Sequence, residues 1–187
     1  MKLKWIIATA VAVIFLGLIG VTAISVWILP DPNLNPVARL LPFPVVCSTR
    51  GCITTRTWHT YSQLANRFAA AAGTSELTRD ELLTTLARQH LVSRTQLKSP
   101  VAREDAERYR QEILNLSQDD VSAYSGLSAA EYDEFVVWPL LQQENVRQYR
   151  NAETTADLYR LLASERRMFV FPVGLWWDKS DGSVKSD

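Results

Sequence analysis

Residues 78–95 read TRDELLTTLARQHLVSRT, and the architecture of the whole chain follows from how they fold. Thr78 with Glu81 three positions later is the signature of a capping box, in which the two side chains satisfy each other's backbone N–H groups at a helix start. Leu82, Leu83, Leu86 and His90 then return on one side at helical spacing. The spacing predicts a helix over 79–95 whose apolar side needs partners.

Both flanks supply them. Upstream, Trp58, Tyr61, Ala65, Phe68 and Ala72 recur every three or four residues, predicting a helix over 56–72 stopped by Gly73 in the left-handed conformation. Downstream, Ala106, Tyr109, Ile113 and Leu116 mark a third helix, and Ser117 with Asp120 opens a short fourth that ends at Gly126. Ser128 with Glu131 opens the longest, which carries Tyr132, Phe135, Val136, Pro139, Leu140, Val146 and Tyr149. Pro139 lacks an N–H and is expected to kink it. A sixth helix carries Leu158, Leu161 and Leu162.

Short β segments bracket the helices. Val45 to Thr54 places β-branched residues on either side of a turn containing Gly51, a hairpin with Cys47 and Cys52 facing each other. Met168 to Trp177 is rich in β-branched and aromatic residues, and Ser180-Asp181-Gly182-Ser183 is a turn before Val184. At least one strand is expected there, pairing with the 45–54 hairpin.

The first 44 residues differ in kind. Residues 5–29, WIIATAVAVIFLGLIGVTAISVWIL, contain no charge and are long enough to cross about 30 Å of hydrocarbon as a tilted helix. Lys2 and Lys4 precede them and Asp31 follows, so residues 1–4 are expected in the cytoplasm and the remainder outside. Val21-Thr22-Ala23 also permits cleavage as a signal peptide. The apolar run continues through Ile24, Val26, Trp27 and Leu29, which favours an uncleaved anchor, and both readings export the rest. Pro30, Pro32, Pro36, Pro42 and Pro44 make 30–44 an extended spacer. Export brings oxidising conditions and hence a Cys47–Cys52 disulfide, which closes too small a loop to do much beyond fixing local geometry. A redox pair lacks the C-x-x-C spacing, and a metal site lacks partners, His59 and His90 being the only histidines.

Composition narrows the function. The 187 residues hold 20 Lys+Arg against 20 Asp+Glu, so no basic field draws the chain to nucleic acid, and 47% hydrophobic residues suffice for a core. G-x-S-x-G, a glycine-rich phosphate loop and H-E-x-x-H are all missing. His59, beside Trp58, and His90, on a leucine stripe, read as packed or surface residues. Asp119-Asp120 and Glu104-Asp105 sit where acidic side chains suit a helix N-terminus. No enzymatic activity, cofactor or metal is expected.

Three stretches, VVCSTRGCITTRTWHTYSQL (45–64), ELLTTLARQHLVSRTQLKSPVAREDAERYRQEI (81–113) and YSGLSAAEYDEFVVWPLLQQENVRQY (124–149), resemble the N-terminal domain of SurA-like bacterial periplasmic chaperones and foldases. The matching positions are Leu82, Leu83, Leu86 and Leu91 of a leucine-rich helix; Tyr109; Gly126, Leu127, Ser128 and Tyr132; and Pro139 with Leu141. Ala102 stands where that family has a capping serine, and Cys47 and Cys52 occupy a turn that is normally cysteine-free. Relatives often carry a parvulin-type prolyl isomerase domain of roughly a hundred residues after this region. Only 37 residues follow Arg150 here, so isomerase activity is not carried over.

Taken together, the uncharged run over 5–29 and the resemblance imply a mainly α protein: a single-pass N-terminal transmembrane helix, then an orthogonal helical bundle over 45–178 whose two ends are joined by a small hairpin and strand, and a polar tail over 179–187. They imply a membrane-anchored extracytoplasmic protein that binds unfolded or exported polypeptides without catalysis. Trp138, Leu141, Trp176 and Trp177 are the candidate peptide-binding residues, because adjacent tryptophans on an extended chain cannot both face inward. The bland alternative is that all four close the domain's own core. Two other functional readings stand beside it: an adaptor that docks one fixed envelope partner along the strand at 168–173, and a remnant isomerase partner beside a separate catalytic chain.

Overall fold

The computed structural model describes residues 42–95, 97, 101–172 and 174–186, together with Gly17, Gly20, Val21 and Ile24. The span expected over 5–29 and the spacer over 30–41 lie outside the described residues, apart from those four, each of which is helical. Among the described residues no helix is long and apolar enough to cross a membrane.

Among the described residues the chain is mainly helical with two small sheets. Strands β1 (Pro44–Ser48) and β2 (Gly51–Thr54) form the expected hairpin, with Cys47 opposite Cys52 and the two joined as a disulfide. The domain begins slightly before residue 45. The Phe43 carbonyl accepts from the Thr55 N–H at 2.8 Å and the Phe43 N–H donates to Thr55 Oγ1 at 3.2 Å, so the end of the spacer is pinned to the first helix.

Helix α1 (Thr55–Ala72) is capped by Thr54, whose side chain accepts from the Thr57 N–H, and closed by Gly73 at φ 64°. Helix α2 (Arg79–Ser93) has both halves of the capping box: Glu81 donates its N–H to Thr78 Oγ1, and Thr78 donates its N–H to the Glu81 carboxylate at 2.8 Å. Leu82, Leu83, Leu86, Ala87, Leu91 and Val92 are all buried, along with Thr84 and His90, so this helix is covered on more than one side. It touches β1, β2, α1 and three later elements, and the main core is built around it from Val45, Val46, Ile53, Trp58, Leu158 and Leu162 among others.

A second, smaller cluster lies under the middle helices. It comprises Ala106 of α3 (Arg103–Glu112), Val121 of α4 (Gln118–Ser125), Leu127, Tyr132 of α5 (Ala129–Tyr132) and Val137. Helix α3 ends sooner than the spacing predicts. Asn115 takes φ 50°, the chain turns, and Ile113, expected on the buried stripe, is 65% exposed. Gly126 serves two purposes: it holds φ 65° at the end of α4, and a Cβ there would sit 3.1 Å from the Arg67 carbonyl oxygen. Arg67 closes this junction by donating to the Gly126 carbonyl at 2.7 Å and to both oxygens of Glu131.

Where Pro139 predicted a kink, the structure has a π turn, Asp133–Val137, followed by α6 (Trp138–Tyr149). The Trp138 N–H bonds to the Asp133 carbonyl five residues back. The wider turn suits a residue that has no N–H to give and whose ring would collide with the carbonyl four positions earlier. Helix α7 (Thr155–Glu165) then leads into β3 (Met168–Val170), which pairs antiparallel with β1 and makes the sheet order β2-β1-β3.

The expectation for 179–187 is corrected. Strand β4 (Leu175–Asp178) pairs with β5 (Ser183–Ser186) as a separate ribbon that does not join the first sheet, and β5 packs on α2. Val184 is buried, and its N–H and C=O are both bonded to Thr84 Oγ1. Hydrophilic residues on either side of one valine gave the segment its polar look, while the valine itself belongs to the core.

Candidate functional site

A largely apolar groove lies where α1, α2, the π turn, α6 and α7 converge, with a volume of about 380 Å³. Phe68, Val92, Phe135, Val136, Pro139 and Leu140 give it apolar walls. The π turn and Pro139 set this wall locally, since they place Phe135, Val136 and Leu140 along one side of the helix.

Several polar groups at its margin bond to one another or to backbone carbonyls. Gln89 Nε2 donates to the Tyr61 hydroxyl at 2.8 Å, and burial pushes that phenol up to about 12, so it stays neutral. Tyr61 in turn packs on Phe135, their ring centroids 4.5 Å apart. Tyr159 donates its hydroxyl to Gln143 Oε1. Arg88 lies 4.7 Å from the Tyr159 ring centroid and donates to the Gly182 and Asp181 carbonyls at 2.8 and 3.1 Å. With these donors occupied, Gln142 is left as a polar lining residue amid mainly apolar walls, which suits sequence-tolerant binding of apolar side chains.

The four residues singled out from sequence do not share this groove. Leu141 packs on the small cluster and faces a second groove of about 370 Å³ with Val101, Tyr109 and Ile113. Trp138 packs on the same cluster, donates Nε1 to the Val101 carbonyl at 3.4 Å, and lies under the Arg103 guanidinium. Trp177 packs on the main core, and its buried Nε1 finds no hydrogen-bond partner among the described residues. Trp176 is 46% exposed on the opposite face of β4, with Lys185 5.8 Å from its ring. The adjacent tryptophans therefore point opposite ways, as strand alternation requires. Sequence reasoning missed Leu140, which is 56% exposed and lines the first groove. One residue along a helix turns a side chain by about 100°, and which of two adjacent leucines faces outward depends on the partners.

His90 is a packed histidine. Its Nε2 lies 3.0 Å from Ser48 Oγ and 3.1 Å from the Gly51 carbonyl oxygen, so it fastens the hairpin turn to α2. Burial first, then the positive charge of Arg94 and of Arg166, hold its pKa below the ordinary value, outweighing the opposing effect of the Gly51 carbonyl. The unfolded chain therefore binds this proton more readily than the folded one. The contribution to stability is complete above the unfolded pKa, about 6.5, and is lost as pH falls below it toward the folded pKa. The urea midpoint should drop between pH 7.5 and 5.0, and His90→Gln should flatten that slope; an unchanged slope in the variant would assign the loss to other groups.

No family model matches the chain, and neither a curated protein nor a solved structure does.

Proposed function

We propose that the domain is a membrane-tethered, extracytoplasmic polypeptide-binding module, chaperone-like and non-catalytic, that holds apolar segments of unfolded or exported chains. The observation that carries this reading is the groove walled by Phe68, Phe135, Val136 and Leu140, at whose margin Gln89 bonds to Tyr61 and Tyr159 to Gln143. The resemblance of 45–150 to SurA-like N-terminal domains points the same way. Tethering by residues 5–29 raises the local concentration of the groove near chains leaving the membrane, so weak contacts suffice.

The test is suppression of aggregation of several unrelated unfolded proteins by the full chain in nanodiscs. Leu140→Asp removes apolar contact worth about 1–2 kcal/mol and should weaken binding of an unfolded client five- to thirty-fold, with the fold retained because Leu140 is largely exposed. Equal protection by the variant and the native chain would exclude this groove as the binding surface.

A second reading is favoured by one observation: β3 is an edge strand, with Phe169 of that strand 56% exposed, and could receive a partner strand. An adaptor would capture one envelope protein in fixed stoichiometry and fail to protect unrelated clients.

A further inference from the structure

The segments that make the three-stranded sheet and lead on to β4, 42–56 and 166–177, contain Arg50, Arg56, Arg166 and Arg167 and no carboxylate. From 167 to 172 the side chains alternate strictly. Met168 and Pro172 are buried and Val170 is half-buried, while Arg167, Phe169 and Phe171 stand exposed on the other face. Phe169 lies opposite Cys47, which lies opposite Cys52, so the disulfide shares this outer face. At its far end Arg50 and Arg166 both donate to the Arg94 carbonyl, at 2.7 and 3.2 Å, which brings two guanidinium groups together at the C-terminus of α2.

This face also adjoins the tether. The Phe171 N–H bonds to the Val45 carbonyl at 2.9 Å, beside the point where the chain arrives through Pro42 and Phe43. Twelve residues, 30–41, separate that point from the uncharged run, and fully extended they reach about 40 Å. A surface rich in phenylalanine and arginine, held that close to a bilayer, is complementary to anionic headgroups: the rings enter the interface and the guanidinium groups meet phosphates.

We propose that the outer face of the sheet, Arg167, Phe169 and Phe171 with Arg50 at the hairpin turn, docks on the anionic lipid surface from which the domain is suspended. This rests on residues 5–29 spanning the membrane, and it leaves the groove, which is built from helices, free for clients. Docking fixes the domain in one orientation on the bilayer, which a proline-rich spacer alone does not.

The experiment uses the full chain in nanodiscs of phosphatidylcholine, with or without about one third phosphatidylglycerol. A nitroxide is placed by Phe171→Cys or, on the helical side, by Tyr124→Cys, where the native tyrosine is 59% exposed. Collision with oxygen relative to a water-soluble nickel complex should rise several-fold at 171 when phosphatidylglycerol is present and stay aqueous at 124. Arg50→Glu combined with Arg167→Glu should return the label at 171 to water. Aqueous behaviour at 171 in the anionic discs would overturn the proposal. Dipolar broadening between labels at 171 would assign the face to a second copy of the chain and overturn it as well. A chain that leaves the discs on alkaline washing would refute the membrane span itself, a failure distinct from loss of docking by a chain that stays.

Discussion

Replacing Asp133 by alanine should destabilise the fold by about 3–5 kcal/mol, the range for stranding one member of a buried ion pair. Arg110 of α3 is buried to a side-chain exposure of 5%, and Asp133 to 14%; their Nε and Oδ1 atoms lie 2.7 Å apart. A second guanidinium nitrogen donates to the Leu116 carbonyl at 2.9 Å, so this one side chain joins α3, the loop after it and the start of the π turn. Without the carboxylate the guanidinium remains one helical turn from Ala106, in the small cluster, with a single carbonyl to offset its desolvation. Urea unfolding of Asp133→Ala measures the loss. Arg110→Met with Asp133→Leu removes both charges and should cost less than the single change. A single-variant loss below about 1 kcal/mol would mean that water reaches the pair and that it acts as an ordinary surface bridge.

Removing residues 181–187 should cost about 4 kcal/mol and broaden or abolish cooperative unfolding. Val184, 3% exposed, would leave the main core, worth about 1.5–3 kcal/mol. Thr84, buried on α2, would lose both of its bonds to the Val184 backbone, each worth about 0.5–1.5 kcal/mol net of water. Arg88 would lose its two carbonyl acceptors, and β4 its only paired strand in the ribbon. The turn is tailored to this position: Gly182 holds φ 65°, and a Cβ there would come within 3.2 Å of the Tyr159 carbonyl oxygen and 3.3 Å of its Cβ. A truncated chain with a native urea midpoint would show the ribbon to be dispensable and the core closed without it.

The helices were legible from sequence because their signals are local. Thr78 with Glu81, Ser117 with Asp120 and Ser128 with Glu131 each close a capping box within a single turn, and Gly73 and Gly126 stop helices by their own conformation. The helix expected over 56–72 runs 55–72, and the one expected over 79–95 runs 79–93. The Cys47–Cys52 hairpin was legible for the same reason, since its ends are five positions apart. The groove was not. Phe68, Phe135 and Val136 fit the apolar stripes of their helices, and nothing in a stripe tells which of its members the neighbouring helices leave half-covered. The same limit explains why Leu141 was chosen where Leu140 is the exposed one.

The sequence by itself determined where helices start and stop, that a disulfide hairpin precedes them, and that adjacent tryptophans on β4 must point opposite ways. All of these depend on backbone geometry and partners within a few residues. Only the tertiary structure decided that the polar-looking C-terminal segment completes the core, that a π turn precedes Pro139, and which apolar side chains stay half-covered. Burial is a property of the assembled whole: Val184 is secured by Thr84, a hundred residues away, and no local pattern around either residue encodes their meeting.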